Sequence, residues 1–77
     1  MKEDEKQYFV ELWNLKDDRQ KFTDYTFKNS KSKRFMYILE KWYKKGFWEY
    51  GVSVRGGWFI EEKIPSQYLE LLKDKSE

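Results

Sequence analysis

The sequence contains no cysteine and no histidine, and each absence excludes a class of protein. Disulfides cannot form without cysteine, and the usual soft-ligand metal sites need one residue or the other. No apolar run is long enough to cross a membrane, and the charged residues 1–6 do not resemble a signal peptide, so we expect a cytoplasmic protein. The sequence also has no glycine-rich phosphate loop and no nucleophile motif. We therefore expect no enzymatic activity, no metal and no cofactor.

Aromatic residues are abundant, at 21% of the 77 residues. A chain of this length makes one domain, residues 1–77, close to the lower limit for a self-sufficient core. Each aromatic side chain can bury roughly 150–250 Å², so these residues can supply that core. The adjacent carboxylates at residues 17–18 and 61–62 are typical of solvated surface charge rather than of acid–base catalysis.

The positive charge is concentrated in one segment. The whole chain has a net charge of +2, whereas residues 28–45 contain seven lysines and arginines against one glutamate. The segments on either side of this stretch are neutral or acidic. Such a stripe indicates a polyanionic partner, although a solvated, lysine-rich helix face has the same pattern.

Residues 31–45 have the pattern of an amphipathic helix. At 100° per residue, the apolar side chains fall in one arc of about 160°, and the charged ones lie opposite. Ser30 or Ser32 can cap its start, and Gly46 can adopt the left-handed conformation at its end. The apolar arc contains Phe35, Met36, Ile38, Leu39, Trp42 and Tyr43. The opposite side contains Lys33, Arg34, Tyr37, Glu40, Lys41, Lys44 and Lys45.

A β-hairpin over residues 47–62 is predicted next. The first strand is aromatic and β-branched, Arg55 is the charged residue at the tip, and Gly56 and Gly57 permit positive φ. Pro65 suits the first turn of a last helix, residues 65–74.

The first third of the chain has a less regular pattern, which fits a helix or a strand. A helix over residues 4–19 is favoured over a strand, and residues 22–28 form a short element of β-prone composition that Thr23 or Asp24 could cap as a helical turn.

The segment SKSKRFMYILEKWYKKGFWEYGVSVRGGWF, residues 30–59, resembles the recognition helix and wing of winged helix-turn-helix proteins. The resemblance implies a small α+β domain that binds duplex DNA through this helix, with Arg55 at the tip of the wing. Ile38, Leu39 and Trp42 would hold the helix to the core. The implied DNA-facing residues on and before the helix are Lys31, Ser32, Lys33, Arg34, Tyr37, Lys41 and Lys44.

A second resemblance involves the end of the chain. IPSQYLELL, residues 64–72, is similar to the Pro-Ser-x-Tyr ending of SH3 domains, and GFWEYG is similar to the aromatic strand before it. That resemblance implies a groove for proline-rich peptides, lined by Trp48 and Tyr68. The helical pattern over residues 33–45 argues against it, because the barrel needs a strand there.

Two functions from different classes are therefore expected. The first is a small protein that binds duplex DNA, sequence-specifically or non-specifically, and acts as a transcriptional regulator. Small chains of this composition are frequent in viral and mobile-element genomes. The second is a protein-interaction module, an adaptor or inhibitor that covers a partner with exposed aromatic residues. The last helix could also pair two copies into a homodimer, and no membrane partner is expected.

Overall fold

The chain folds as three helices, a two-stranded antiparallel hairpin and a C-terminal helix. A computed structural model describes residues 1–51 and 57–75. The α-helices are α1 (Glu3–Leu15), α2 (Arg19–Asn29), α3 (Lys33–Lys45) and α4 (Ser66–Lys75). The strands are β1 (Trp48–Tyr50) and β2 (Gly57–Phe59), and a 3-10 helix (Glu61–Lys63) precedes α4. The predicted α+β class is confirmed.

Helix α1 confirms that the first segment is helical and not a strand. Phe9 and Leu12, on one face of the helix, are fully buried. Acidic residues occupy its first turn, where they favour the positive end of the helix dipole. The predicted end at residue 19 is wrong, because the helix stops at Leu15 and Asp18 caps the start of the next one.

Helix α2 replaces the short element predicted over residues 22–28. The side chain of Asp18 accepts a hydrogen bond from the backbone N–H of Lys21 and so caps the new helix. Phe22 and Thr26, one turn apart, are both buried. The hydroxyl of Thr26 donates to the carbonyl of Phe22 at 2.7 Å, so this β-prone residue satisfies its polar group inside the helix. The packed face outweighs the low intrinsic propensity of the segment.

Helix α3 confirms the amphipathic prediction, with its start at residue 33 rather than 31. The Oγ of Ser32 accepts from the backbone N–H of Phe35 at 3.2 Å, so Ser32 is the cap and Lys31 lies in the preceding turn. Gly46 has a φ of 96°, which is the left-handed conformation expected at the end of the helix. The buried residues are Phe35, Ile38, Leu39 and Trp42. Tyr43 departs from the prediction, because it is exposed at the margin of the apolar arc.

The hairpin is confirmed, with shorter strands than the predicted range 47–62. Trp48 pairs with Phe59 and Tyr50 pairs with Gly57. Arg55 and Gly56 of the predicted turn lie outside the described residues. Gly57, which was expected in the turn, instead begins β2 without a positive φ, and its role is steric. A Cβ at this position would overlap the indole ring of Trp48, so only glycine lets the strand approach that ring.

The last helix and the core exclude the SH3-like alternative. Residues 61–63 form a 3-10 helix where the hairpin was expected to continue, and Pro65 immediately precedes α4. In the described ranges the only sheet has two strands, which cannot close a barrel. Trp48 and Tyr68, the expected groove residues, are instead fully buried.

Trp42 lies at the centre of the core. Its ring is 5.8 Å from Phe9 and 5.8 Å from Phe59, centroid to centroid, and 6.3 Å from Tyr68. Helix α1 packs against the other three α-helices, and β1 packs against α3. This aromatic core fixes one face of α3 and leaves the opposite face on the surface. Among the described residues, no helix is both long enough and apolar enough to cross a membrane.

Candidate nucleic-acid interface

The exposed side of α3 is a narrow ridge. Four side chains define it: Lys33, Tyr37, Glu40 and Lys44. They lie within an arc of about 60° when placed at 100° per residue. All four are exposed, and 58% of the Tyr37 side chain is accessible to solvent. The two lysines are about 16 Å apart along the helix axis, at 1.5 Å per residue. The ridge therefore carries positive charge at both ends, with a tyrosine and a glutamate between them.

Arg34 lies beside the ridge and is held by the first turn of α1. Its Nε donates to Oδ2 of Asp4 at 2.7 Å, and its Nη2 donates to Oδ1 at 3.2 Å. The guanidinium carbon lies 5.5 Å from the centroid of the Tyr37 ring, within the range of a cation–π contact. The hydrogen bond from Arg34 lowers the pKa of Asp4, and the same bond raises that of Arg34. Both groups are thus kept charged.

Lys41 has a different environment from the other basic residues of α3. Its Nζ donates to Oε1 of Glu5 at 2.6 Å, and the Glu5 side chain is 1% exposed. The other carboxylate oxygen accepts from Nε1 of Trp42 at 2.9 Å and from the hydroxyl of Tyr68 at 2.7 Å. Burial would raise the pKa of Glu5, but the hydrogen bonds from these three donors outweigh it and hold that pKa below 4.5. Lys41 is thus the counter-ion of a buried carboxylate.

The predicted DNA-facing residues are therefore not equivalent in the structure. Lys31, Lys33, Tyr37 and Lys44 are exposed, and the first of them lies in the turn before α3. The hydroxyl of Ser32 is occupied as the helix cap. Arg34 and Lys41 form ion pairs with α1, and Arg55 lies outside the described residues.

Asp4 and Glu5 were missed by the sequence analysis. Glu5 carries a signal that could have identified it, since it precedes Phe9 by four residues and Leu12 by seven and so lies on the buried face of α1. A carboxylate at that position needs a buried donor. Asp4 carries no such signal, because its pairing with Arg34 depends on how two helices 30 residues apart pack.

Further exposed aromatic side chains lie outside the ridge. Trp58 of β2 is 48% exposed, and Tyr43 of α3 is 45% exposed. The ring of Tyr43 lies 5.3 Å from that of Tyr50, centroid to centroid. Trp58 borders a cleft of about 140 Å³ whose rim includes Lys16 and Glu61, which form an ion pair at 3.5 Å. These aromatic residues are the part of the surface that suits a protein partner.

Comparisons with protein-family models, curated proteins and solved structures find no match to this chain. The winged-helix hypothesis accordingly depends on the sequence pattern together with the order and placement of the elements. Within the described residues, no group of three or more acidic side chains could hold a metal ion.

Proposed function

We propose that this chain is a non-enzymatic protein that binds duplex DNA through the exposed ridge of α3 and acts in the cytoplasm as a regulator. The observation that carries the proposal is the division of the basic residues on α3. Arg34 and Lys41 are paired with carboxylates of α1, whereas Lys33 and Lys44 extend into solvent on either side of Tyr37. Two exposed cations about 16 Å apart on one helix suit contacts to phosphates that flank a groove.

The shape of the molecule supports the same proposal. An α-helix fits the major groove of B-DNA, which is about 12 Å wide. The opposite face of α3 is buried in the aromatic core, which holds the helix in a fixed position on the surface. The hairpin follows α3 directly and packs beside it, where a wing would contact the adjacent backbone. Contact by Arg55, which the sequence predicts at the tip of the wing and which lies outside the described residues, is part of the proposal.

Phosphate contacts predict a specific dependence on salt. Each contact to B-DNA contributes a slope of about −0.9 to log affinity against log salt concentration. We expect the double variant Lys33→Gln/Lys44→Gln to flatten the slope by about 2 and to weaken binding similarly for all sequences. Binding of a fluorescent random duplex, followed by anisotropy from low to moderate salt, gives this slope.

The matched control is Lys21→Gln/Lys63→Gln, which removes the same charge from two exposed lysines outside α3. It should leave the slope close to that of the wild type. Lys41 is not used, because its removal would leave Glu5 without a counter-ion. If the wild type does not bind duplex DNA at low salt, or if the two double variants behave alike, the proposal is wrong.

A protein-interaction module is the second candidate, and the exposed Trp58 and Tyr43 favour it. On this alternative, changes to Lys33 and Lys44 would be nearly silent, whereas Trp58→Ala would abolish binding to the partner. The expected homodimer through α4 is also a prediction. The leucines of that helix, Leu69, Leu71 and Leu72, are half-buried against the core, which leaves part of each for a second copy.

A further inference from the structure

Arg34 uses one edge of its guanidinium for the ion pair with Asp4. The Nε–Nη2 edge donates both of its hydrogen bonds to Asp4, and the guanidinium carbon lies 5.5 Å from the centroid of the Tyr37 ring. In the part of the chain that the structure describes, Nη1 makes no hydrogen bond. The planar guanidinium has five N–H groups in fixed directions, so holding one edge also fixes where the other edge points.

The free edge presents two parallel N–H groups, one from Nη1 and one from Nη2. Such a fork matches two acceptors about as far apart as its own hydrogens. In duplex DNA, two groups meet this requirement: a phosphate, and the O6 and N7 atoms of guanine in the major groove. A lysine at this position could offer the charge but not the fork.

The charge of Asp4 distinguishes between these two acceptors. The carboxylate offsets the positive charge of Arg34, which weakens its attraction for an anionic phosphate. It does not remove the directed N–H donors that an uncharged base edge accepts. A paired arginine therefore gains more from a base than from a phosphate. Lys33, next to it, is exposed and has no ion pair within the described residues.

We propose that Arg34 reads guanine in the major groove through its free edge, and that Asp4 is the positioning residue that aims it. This inference depends on the proposed function, because it requires α3 to enter the major groove. It assigns to the ion pair between α1 and α3 a role in sequence preference, separate from the phosphate contacts of Lys33 and Lys44.

The test replaces guanine with 7-deazaguanine, which lacks the N7 acceptor and keeps normal base pairing. Duplexes selected by the wild-type protein from a random library would be compared with their 7-deaza counterparts at one salt concentration. We expect the substitution to weaken wild-type binding roughly 2- to 12-fold, about half of the free energy of one bidentate pair to a base, because 7-deazaguanine keeps the O6 acceptor. Arg34→Met should bind the two duplexes almost equally, since methionine has no N–H group to donate to N7.

Asp4→Asn tests the positioning role. Its matched control is Glu3→Gln, which removes a charge one residue away whose partner is Lys6 rather than Arg34. We expect Asp4→Asn to reduce the preference for guanine over 7-deazaguanine, and Glu3→Gln to retain it. Similar melting temperatures for the two variants would show that the change in preference does not reflect lost folding.

Several results would overturn this inference. If 7-deazaguanine leaves wild-type binding unchanged, Arg34 does not read guanine, although the proposed function stands as long as the duplex is bound. If Asp4→Asn instead tightens binding to every duplex equally, Asp4 only screens the charge of Arg34. If the wild type binds no duplex, both this inference and the proposed function are wrong.

Discussion

Replacing Lys41 by methionine would test whether this lysine serves the fold. Methionine keeps most of the length and the aliphatic packing of the lysine but removes its ammonium group. Glu5 would then be buried with two hydrogen-bond donors, Trp42 and Tyr68, and without a counter-ion. A buried carboxylate left in this state is costly, whereas the loss of an exposed lysine is not.

The expected cost follows from the burial of the two partners. Removing one partner of a fully buried ion pair typically destabilises a protein by about 3–5 kcal/mol. Here the Glu5 side chain is 1% exposed, but that of Lys41 is 33% exposed, so water already screens part of the attraction. We therefore expect the free energy of unfolding to fall by roughly 2–4 kcal/mol at pH 7, out of a total of about 5–15 kcal/mol.

The pH dependence gives the experiment a second, independent readout. In the wild type, three hydrogen bonds lower the pKa of Glu5, so its stabilising contribution is present above pH 4.5 and is lost as the pH falls through the lower, folded-state pKa. Lys41→Met removes one of these bonds and its charge, so the pKa of Glu5 rises relative to the wild type. Glu5 of the variant is therefore protonated at a higher pH than Glu5 of the wild type. The difference in stability between the two proteins should shrink on acidification.

Urea denaturation followed by tryptophan fluorescence, repeated between pH 7 and pH 4, measures both quantities. Lys44→Met is the matched control, because Lys44 is an exposed lysine on the same helix, and it should change stability by less than about 0.5 kcal/mol. If Lys41→Met costs no more than this control, or if its cost does not vary with pH, the ion pair with Glu5 is not what stabilises the fold.

Two further predictions concern the backbone. Gly57→Ala should cost about 1–3 kcal/mol because its Cβ would overlap the ring of Trp48, whereas Gly46→Ala should cost about 1 kcal/mol from positive φ alone, since nothing lies within 4 Å of a Cβ there. Thermal melts of both variants would contradict this reasoning if Gly57→Ala were the milder. Asp18→Ala should lose the cap on the N–H of Lys21 and destabilise α2 by about 1 kcal/mol, and Asp18→Asn should restore most of it; equal circular-dichroism melts for the two variants would show that the cap contributes little.

Helix α3 could be predicted from the sequence because three independent signals agree over one segment. The charged and apolar side chains segregate at helical spacing, Ser32 caps the start, and Gly46 allows the left-handed end. Helix α2 could not, because Phe22 and Thr26 have β-prone side chains and their burial against other elements decides the outcome. Asp18 is a residue type that caps helices, but the predicted first helix extended to residue 19 and so included Asp18 in its interior.

The exposed part of the candidate site was predictable because it follows from the helical spacing of α3. A helical wheel is enough to place Lys33, Tyr37 and Lys44 opposite the core. It cannot say which basic residues are paired with another element. The pairing of Arg34 with Asp4 spans 30 residues and that of Lys41 with Glu5 spans 36, and both depend on the packing of α1 against α3.

The hydrogen bond between Glu5 and Tyr68 joins positions 63 residues apart. During synthesis, Glu5 and Trp42 leave the ribosome well before Tyr68 does. Until α4 emerges, the carboxylate lacks one of its donors and the aromatic core lacks one of its rings. Because such distant contacts form late and cannot be replaced by local ones, we expect the domain to fold in one step after α4 is released rather than helix by helix. We therefore expect α3 to be held in its native position only once α4 has docked against α1.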